Sequence, residues 1–304
     1  MQTRREWLAG MAVPLTLGAA RPEGVLVDTH IHLFDPSKFP YHLKATYQPP
    51  AQPLAPYLEF IKASRINHVI IVHPEPYQDD HAYLEHCFAR EPVPGFFKGT
   101  CLFDPVDPKT PTRVEALTKK HPGRIVALRI HENRDPKAAP TTSGAIRDRD
   151  MRSPQMKVTW AKVHSLGLAI QMHFIPGFAP QIGSLAGQFR EMPVILDHLA
   201  RAGQGAPAEY DGVLELAKLP RTVMKFSGVG YSSKQPFPHR DVKPLIRRTF
   251  DAFGPGRMIW GGLGMNMAEF EKAVTLFEEC FDFASEADKA RIRGENALRL
   301  YRWQ

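Results

Sequence analysis

The chain has 304 residues, of which 43% are hydrophobic and 23% are charged, so it can bury a large core and wholesale disorder is excluded. The formal charge is +7, but no dense run of lysine and arginine is interleaved with aromatic residues. This argues against a nucleic-acid partner and fits an anionic small-molecule substrate. Three cysteines without a C-x-x-C spacing argue against a disulfide framework and a cysteine zinc site.

Residues 1–20 are predicted to form a twin-arginine export signal. Arg4 and Arg5 are followed by a short, mostly apolar stretch from Leu8 to Leu17 and then by small residues. An ordinary basic N-terminus is the alternative. The apolar stretch is well below the ~20 residues of a membrane span, so stable membrane insertion is not expected. We expect an exported, periplasmic protein with a single domain over residues 24–304.

Beyond residue 24, short runs rich in β-branched residues alternate with longer amphipathic stretches. The predicted strands are 25–30, 68–73, 96–103, 125–131, 168–173, 194–198, 222–227 and 258–261. The predicted helices are 55–64, 80–90, 111–121, 154–166, 178–190, 209–219, 243–253, 267–283 and 286–301. Eight strand–helix units predict an α/β fold, a (β/α)₈ TIM barrel, whose active site lies on the longer loops after the strands. A doubly wound sheet is the alternative, but it usually carries a glycine-rich loop after its first strand.

Histidines stand where several of these strands end. His30 and His32 close the first strand, and the two-residue period places them on one face, about 6–7 Å apart along the strand. Two neutral imidazoles in this arrangement can bind one metal ion. His173, at the end of the fifth strand, is predicted to be a third ligand. His198, after the sixth, is predicted to be a fourth ligand or a proton shuttle.

Other predicted strands also carry polar residues at or near their ends. Arg129 interrupts an apolar strand and needs an anion, for which a substrate carboxylate is a natural partner. His131 ends the same strand and is predicted to bind substrate with it. His73 and Asp104 fit loop and turn roles, and Lys225 fits an outward orientation.

The ordered set of motifs resembles the amidohydrolase superfamily, and most of all its amidohydrolase-related, lactonase-like branch. The matching segments are Val27–His32, His173, Ile195–Arg201 and Trp260–Gly261. That branch includes 2-pyrone-4,6-dicarboxylate lactonase and sugar lactonases. The resemblance covers nearly all of the chain after the signal. It implies a hydrolase that opens a small carboxylated or sugar-derived lactone, or a related cyclic ester or amide. A decarboxylase of the same superfamily is the second expectation.

The resemblance also implies a role for each matching side chain. It implies a divalent metal ion, with zinc as the favoured one, and a small anionic substrate. The matched residues are His30, His32 and His173 as metal ligands, His198 as the group that polarises substrate or water, and Arg129 and Arg201 as holders of substrate carboxylates.

The chain departs from the family at the end of the eighth strand, where Leu263 replaces an expected aspartate. Leucine can neither bind a metal nor accept a proton, so the base is open: Asp197 is the stand-in, and His131, Glu132 and His198 are the other candidates. Operation without metal and a non-catalytic binding protein also stay open. The sequence also leaves open whether the protein forms a homo-oligomer. It leaves open as well whether residues 135–150 are a lid over the pocket or a disordered insertion.

Overall fold

The computed structural model describes residues 22–303, and eight parallel strands in it form a nearly closed barrel. The strands pair in chain order, each with the next along the sequence. They are β1 (Val27–Ile31), β2 (His68–Val72), β3 (Phe97–Cys101), β4 (Ile125–Glu132), β5 (Ala169–Phe174), β6 (Val194–Leu196), β7 (Thr222–Phe226) and β8 (Met258–Trp260). The predicted TIM barrel is confirmed. The predicted export signal lies outside the described residues.

Helices connect the strands and cover the outside of the barrel. They are α1 (Leu54–Ser64), α2 (Ala82–Phe88), α3 (Thr110–Lys120), α4 (Pro154–Ser165), α5 (Ala179–Gln188), α6 (Pro207–Glu215), α7 (Lys243–Phe253), α8 (Met267–Cys280), α9 (Glu286–Ala290) and α10 (Asn296–Leu300). The side chains of Ser153 and Asn266 cap α4 and α8 by accepting backbone N–H groups. Between residues 22 and 303, none of these helices has the length and apolar character needed to cross a membrane.

The barrel has two apolar layers, one inside the strands and one between strands and helices. The inner layer consists mainly of small and β-branched residues: Val27, Ile70, Val72, Ala127, Ala169, Ile195, Val223 and Ile259. Because side chains alternate between the two faces of a strand, the residues two and four positions further along β4, β5 and β7 face the same interior. The inner layer thus predicts which side chains reach the carboxyl end of the barrel.

The seam of the barrel brings β1 against β8. The hydroxyl of Thr29 donates to the carbonyl oxygen of Trp260 over 2.6 Å. Gly261 follows directly, and a Cβ there would lie 2.7 Å from the backbone nitrogen of His30. A side chain at this position would push His30 away, so glycine is required by close approach. The β1 pairing with β2 also shifts register between Asp28 and Ile31.

Candidate active site at the carboxyl end of the barrel

A cavity of about 390 Å³ opens at the carboxyl ends of the strands. Six of the eight predicted site residues line it: His32, Arg129, His131, His173, His198 and Arg201. The other two, His30 and Asp197, are buried beside them and contact them. Further lining residues come from the loops after the strands: Phe34, Thr46, Tyr47, Pro49, Glu75, Asn133, Arg147 and Tyr231. The predicted location of the site, on the longer loops after the strands, therefore matches the cavity.

The two histidines of β1 converge on one point. Their Nε2 atoms lie 3.2 Å apart, and His32 Nδ1 donates to the carbonyl oxygen of Val72 over 2.7 Å. Burial first, and then the charge of Arg129, lowers the pKa of His32 to about 3, so its ring is neutral. With Nδ1 protonated, His32 Nε2 carries the lone pair and accepts from His30 Nε2.

This pair fits two ligands of one metal ion. Zinc–nitrogen bonds of about 2.0–2.1 Å in a tetrahedral site place the two nitrogens ~3.3–3.4 Å apart, close to the observed 3.2 Å. Among the described residues, the ligand atoms of His30, Asp197 and His198 lie within 4.8 Å of one another. The structure thus places His198 next to His30. The sequence predicts His173 as the third ligand and His198 as a fourth ligand or a proton shuttle.

A buried network of charges surrounds Asp197. Its Oδ2 atom accepts from Arg129 Nη2 at 3.1 Å, from Arg129 Nε at 3.2 Å and from Gln171 Nε2 at 3.0 Å. Its Oδ1 atom lies 3.1 Å from Lys225 Nζ and 3.7 Å from His30 Nδ1. Burial alone would raise the pKa of Asp197, but Lys225 and Arg129 hold it well below its usual value. The carboxylate is held by both cations and does not line the cavity, which weighs against Asp197 as the base.

The orientation of Lys225 corrects a sequence-based expectation. It was expected to point outward, yet its side chain lies fully buried inside the barrel, and Nζ donates to the carbonyl oxygen of Thr29 over 2.9 Å. Val223, two residues earlier, belongs to the inner layer. The two-residue period of β7 was therefore the signal that could have placed Lys225.

A chain of hydrogen bonds links Arg201, His173 and His131. Arg201 Nη1 lies 3.0 Å from His173 Nε2, and His173 Nδ1 lies 3.1 Å from His131 Nδ1. A guanidinium only donates, so His173 accepts at Nε2, carries its proton on Nδ1 and donates to His131. The proton of His131 is then on Nε2, a buried atom without a hydrogen-bond partner among residues 22–303. This leaves one unused donor on His131, a residue of the cavity wall.

Arg201 is held from two further sides. Its Nη1 also donates to Asn133 Oδ1 over 3.1 Å, and its guanidinium stacks on Tyr231 at 4.3 Å from the ring centre. Within the described part of the chain, no carboxylate forms an ion pair with it. Arg129, by contrast, is already paired with Asp197. Of the two arginines predicted to hold substrate, Arg201 has the unmatched charge.

His198 and Arg201 reach the cavity through an unusual turn. Strand β6 ends at Leu196, and residues 198–201 adopt φ angles of 57°, 53°, 53° and 50°. None of these residues is glycine, and the left-handed conformation costs roughly 1–2 kcal/mol for each such residue. Sequence patterns gave no sign of this turn, since they predicted a strand continuing to 198. Strain of this kind is concentrated at functional sites.

The ring of His198 is fixed by β7 and the residues after it. His198 Nδ1 lies 2.8 Å from the hydroxyl oxygen of Ser227. Gly228 packs against the ring with φ +53°, and a Cβ there would lie 2.7 Å from Nδ1, so glycine is required on both counts. Burial lowers the pKa of His198 to about 3 despite the opposing charge of Asp197. The imidazole is therefore neutral at pH 7, which leaves one of its ring nitrogens unprotonated.

Leu263 is fully buried in the outer apolar layer and does not line the cavity. Its backbone N–H donates to Asp28 Oδ2 over 3.0 Å, while the N–H groups of Gly262 and His30 donate to Asp28 Oδ1. Asp28 thus ties β1 to the residues after β8. At this end of β8 the structure supplies no carboxylate to the cavity, so the base must come from another strand.

Glu132, another candidate base, is buried but does not line the cavity. Its closest ion-pair contact is Arg134 Nε at 3.9 Å. Burial first, and then the nearby charge of Asp148, raises the pKa of Glu132 to about 9. The carboxyl group is protonated at neutral pH and is not available as a base.

We predict that Glu132→Gln stabilises the protein at alkaline pH. Folding raises the pKa of Glu132 from 4.5 to about 9, so its contribution to stability is complete below pH 4.5 and is lost as the pH rises towards 9. Glutamine keeps the neutral form. The free energy of unfolding from urea titrations should be similar near pH 4.5 and about 4–5 kcal/mol higher in the variant at pH 8. The exposed Glu59→Gln variant should show the same pH dependence of stability as the wild type. If the stability of Glu132→Gln also varies with pH as the wild type does, the raised pKa of Glu132 is contradicted.

The loop between β4 and α4 brings a residue that the sequence did not single out. Arg147 lines the cavity and is held by Asp148, whose Oδ1 accepts the backbone N–H groups of Asn133 and Arg134. Arg149 Nε donates to Asp104 Oδ2 over 2.7 Å. The loop is therefore fastened at both ends by side-chain contacts. Its sequence has no hydrophobic periodicity from which the position of Arg147 could follow.

Two residues given loop or turn roles behave as expected. His73 Nε2 donates to the carbonyl oxygen of Gln78 over 2.9 Å. Asp104 accepts the backbone N–H of Val106 over 3.1 Å, as a turn residue does.

The chain is similar over most of its length to several hydrolases. A 4-sulfomuconolactone hydrolase of Hydrogenophaga intermedia is 27% identical over 287 residues, covering 90% of this chain and 88% of that protein. A structure of a probable 2-pyrone-4,6-dicarboxylic acid hydrolase of Acinetobacter baumannii, with citric acid bound, has a TM-score of 0.74 at 18% identity, covering 91% of this chain and 99% of that one. An amidohydrolase of Burkholderia multivorans with zinc bound has a TM-score of 0.68 at 18% identity, covering 92% and 100%.

The family model described as amidohydrolase matches residues 27–303, which contain every strand of the barrel and every residue of the cavity. The resemblance drawn from the histidine motifs is thereby confirmed, and the chain belongs to the amidohydrolase family.

Proposed function

We propose that this protein is a hydrolase that opens a small lactone bearing an anionic group. The observation that carries the proposal is the cavity itself, which is lined by the neutral His198, by His131 with its unused donor and by Arg201 with its unmatched charge. A hydrolase needs such a proton acceptor and such a donor for the carbonyl oxygen. The names of two relatives, a 4-sulfomuconolactone hydrolase and a 2-pyrone-4,6-dicarboxylic acid hydrolase, also denote cyclic esters with acidic groups.

In the proposed mechanism, Arg201 binds the anionic group and His131 Nε2 donates to the lactone carbonyl oxygen, which becomes negatively charged as water attacks. His198 accepts the proton of that water at Nε2, since Nδ1 is engaged with Ser227. The proton then passes to the departing alkoxide of the opened ring. His198 thus acts as the base, the role that an acid after β8 would have. Asp197 balances the charges of Arg129 and Lys225 next to it.

A divalent ion, with zinc favoured, fits the Nε2 atoms of His30 and His32 and would supply Lewis-acid polarisation of the carbonyl. Asp197, the nearest carboxylate, is already neutralised by Arg129 and Lys225. The anionic ligand that would raise affinity for a dication is therefore engaged elsewhere. We propose weak metal binding, with His131 as the donor to the carbonyl oxygen when the ion is absent.

Turnover and metal content of the purified protein test the proposal together. Sulfonated, carboxylated and neutral lactones are supplied in turn, and the protons released by ring opening are followed with an indicator. Hydrolysis of an acidic lactone in preference to its neutral analogue supports the proposal. Release of carbon dioxide would favour the decarboxylase, and ligand-induced thermal stabilisation without turnover would favour a binding protein. Elemental analysis and activity before and after chelation separate the metal-bound and metal-free routes.

We predict that Arg201→Gln raises KM for an acidic lactone by about 10–100-fold, because one charge-assisted contact with substrate is lost. KM for the neutral analogue should change little. The exposed Arg190→Gln is the matched control. An equal rise in KM for both lactones would mean that Arg201 only supports His173.

We also propose that the protein is exported through the twin-arginine route. The supporting observation is the sequence pattern around Arg4 and Arg5. Fractionation of cells should find the processed chain in the periplasm, and Arg4→Lys with Arg5→Lys should leave it in the cytoplasm. Gel filtration with light scattering of the processed chain then gives its oligomeric state.

A further inference from the structure

A second cavity of about 230 Å³ lies at the opposite, amino end of the barrel. It opens below the inner layer, since Val223 and Ile259 form part of its wall. Three arginines line it, each from a different element: Arg221 just before β7, Arg257 just before β8 and Arg299 in α10. No role in the proposed lactone hydrolysis falls to these residues, because they lie across the barrel from the active site.

These three guanidinium groups have no matching negative charge nearby. No aspartate or glutamate lines the cavity. Across residues 22–303, the ion pairs that the structure forms include none made by Arg221, Arg257 or Arg299. Most other arginines of the chain do have a carboxylate partner, such as Arg124 with Glu91. Like charges gathered at one cavity repel each other unless an anion is added.

Two of the three arginines are held in place by neutral groups. Arg257 donates to the carbonyl oxygens of Phe253 at 3.1 Å, Ala217 at 2.8 Å and Leu219 at 2.9 Å. Arg299 donates to Oδ1 of the buried Asn296. The amide nitrogen of Asn296 in turn donates to the carbonyl oxygens of Pro255 and Met258, both at 2.7 Å.

These contacts fix the guanidinium groups without neutralising them. A guanidinium has five N–H donors, so Arg257 and Arg299 each keep donors for a ligand. Arg221 is exposed at the rim and makes no side-chain hydrogen bond within the described chain. Preorganised donors of this kind lower the entropic cost of binding an anion.

We propose that this basal cavity binds a phosphate group, either free or carried by a small organic molecule. Arginine presents paired donors that match the oxygens of phosphate, and several arginines together match its charge of about −2 near neutral pH. The cavity volume admits a phosphate with a short substituent. The ligand would join residues that precede β7 and β8 to α10.

Calorimetric titration tests this proposal. Sodium phosphate and glycerol 3-phosphate are titrated separately into the full chain at constant ionic strength, in the Arg201→Gln background so that the active-site cavity contributes less heat. We expect saturable binding of one phosphate group per chain. Arg221→Gln together with Arg299→Gln should weaken it at least about ten-fold, and the exposed Arg190→Gln should leave it unchanged. Tighter binding of glycerol 3-phosphate would identify an organic phosphate as the ligand, and tighter binding of inorganic phosphate the free ion.

Circular dichroism verifies that the double variant is folded. If the double variant is unfolded, the single variant Arg221→Gln is titrated instead, because the Arg221 side chain holds no other group in place. Citrate, a carboxylate anion that has no tetrahedral oxyanion group, should bind less tightly. Absence of saturable binding, or equal affinity in the wild-type and variant cavities, would overturn the proposal. Because these residues lie outside the active site, that result would leave the proposed lactone hydrolysis standing.

Discussion

Asp197→Asn is expected to lower the free energy of unfolding by about 3–5 kcal/mol, as measured by urea denaturation at pH 7. The carboxylate is fully buried between Arg129 and Lys225, which are themselves 2% and 0% exposed. Removing its charge leaves two cations in the barrel interior without a counter-ion. Taking a buried charge from its partner costs far more than the net gain from the pair, because the remaining ions stay desolvated.

The pH dependence and a matched variant test the same assignment. Neighbouring cations hold the pKa of Asp197 well below 3.8, so its contribution is complete above that pH and is lost only in stronger acid. The difference from wild type should therefore stay constant from pH 7 to about pH 4. Asp282→Asn removes an exposed ion pair with Lys243 and should leave the free energy of unfolding nearly unchanged. Adding Lys225→Met to Asp197→Asn should restore part of the stability; no recovery would show that the network is not coupled through charge.

His198→Ala is expected to lower kcat for an acidic lactone by about 10²–10⁴-fold, the usual contribution of general acid–base catalysis. KM should change little, because binding of the anionic group of the substrate is assigned to Arg201. Steady-state kinetics on the processed protein measure both constants. The buried ring leaves a cavity when it is removed, so thermal unfolding must confirm that the variant is folded at the assay temperature.

Ser227→Ala separates catalysis by His198 from its packing. The substitution removes the hydroxyl that lies 2.8 Å from His198 Nδ1 while the ring stays in place. We expect kcat to fall by about 10-fold, less than for His198→Ala, because the ring then samples the wrong tautomer. Unchanged kcat in His198→Ala would exclude His198 as the base. A metal role for His198 would instead appear as a loss of bound metal in the same variant.

The barrel was predictable because its signals are local and repeated. Eight apolar runs alternating with amphipathic stretches gave the strand order and the end of the barrel that bears the cavity, and the boundaries differ from the structure by a few residues. For β6 the prediction continued to His198, whereas the strand ends at Leu196. The run Val194–His198 looks like an uninterrupted strand because hydrophobicity does not report the sign of φ.

The predicted site residues come together at one end, yet their connections could not be predicted. His30, His32, His173 and His198 are near one another because the carboxyl ends of parallel strands meet. Which histidine carries its proton on which nitrogen depends on partners such as Val72, tens of residues away in sequence. The inward position of Lys225 could be predicted from the two-residue period of β7, because Val223 belongs to the inner layer. Arg147 lies in a loop, which has no such period.

The left-handed turn of residues 198–201 also limits how this pocket can change in evolution. Valine, isoleucine and threonine are strongly disfavoured at positive φ, so substitutions within the turn are confined to glycine, asparagine and a few others. A new substrate range is thus more readily acquired through Thr46, Tyr47 and Arg147, which line the same cavity from extended or irregular segments. Directed libraries aimed at those three positions should yield more folded variants than libraries aimed at Leu199 and Ala200.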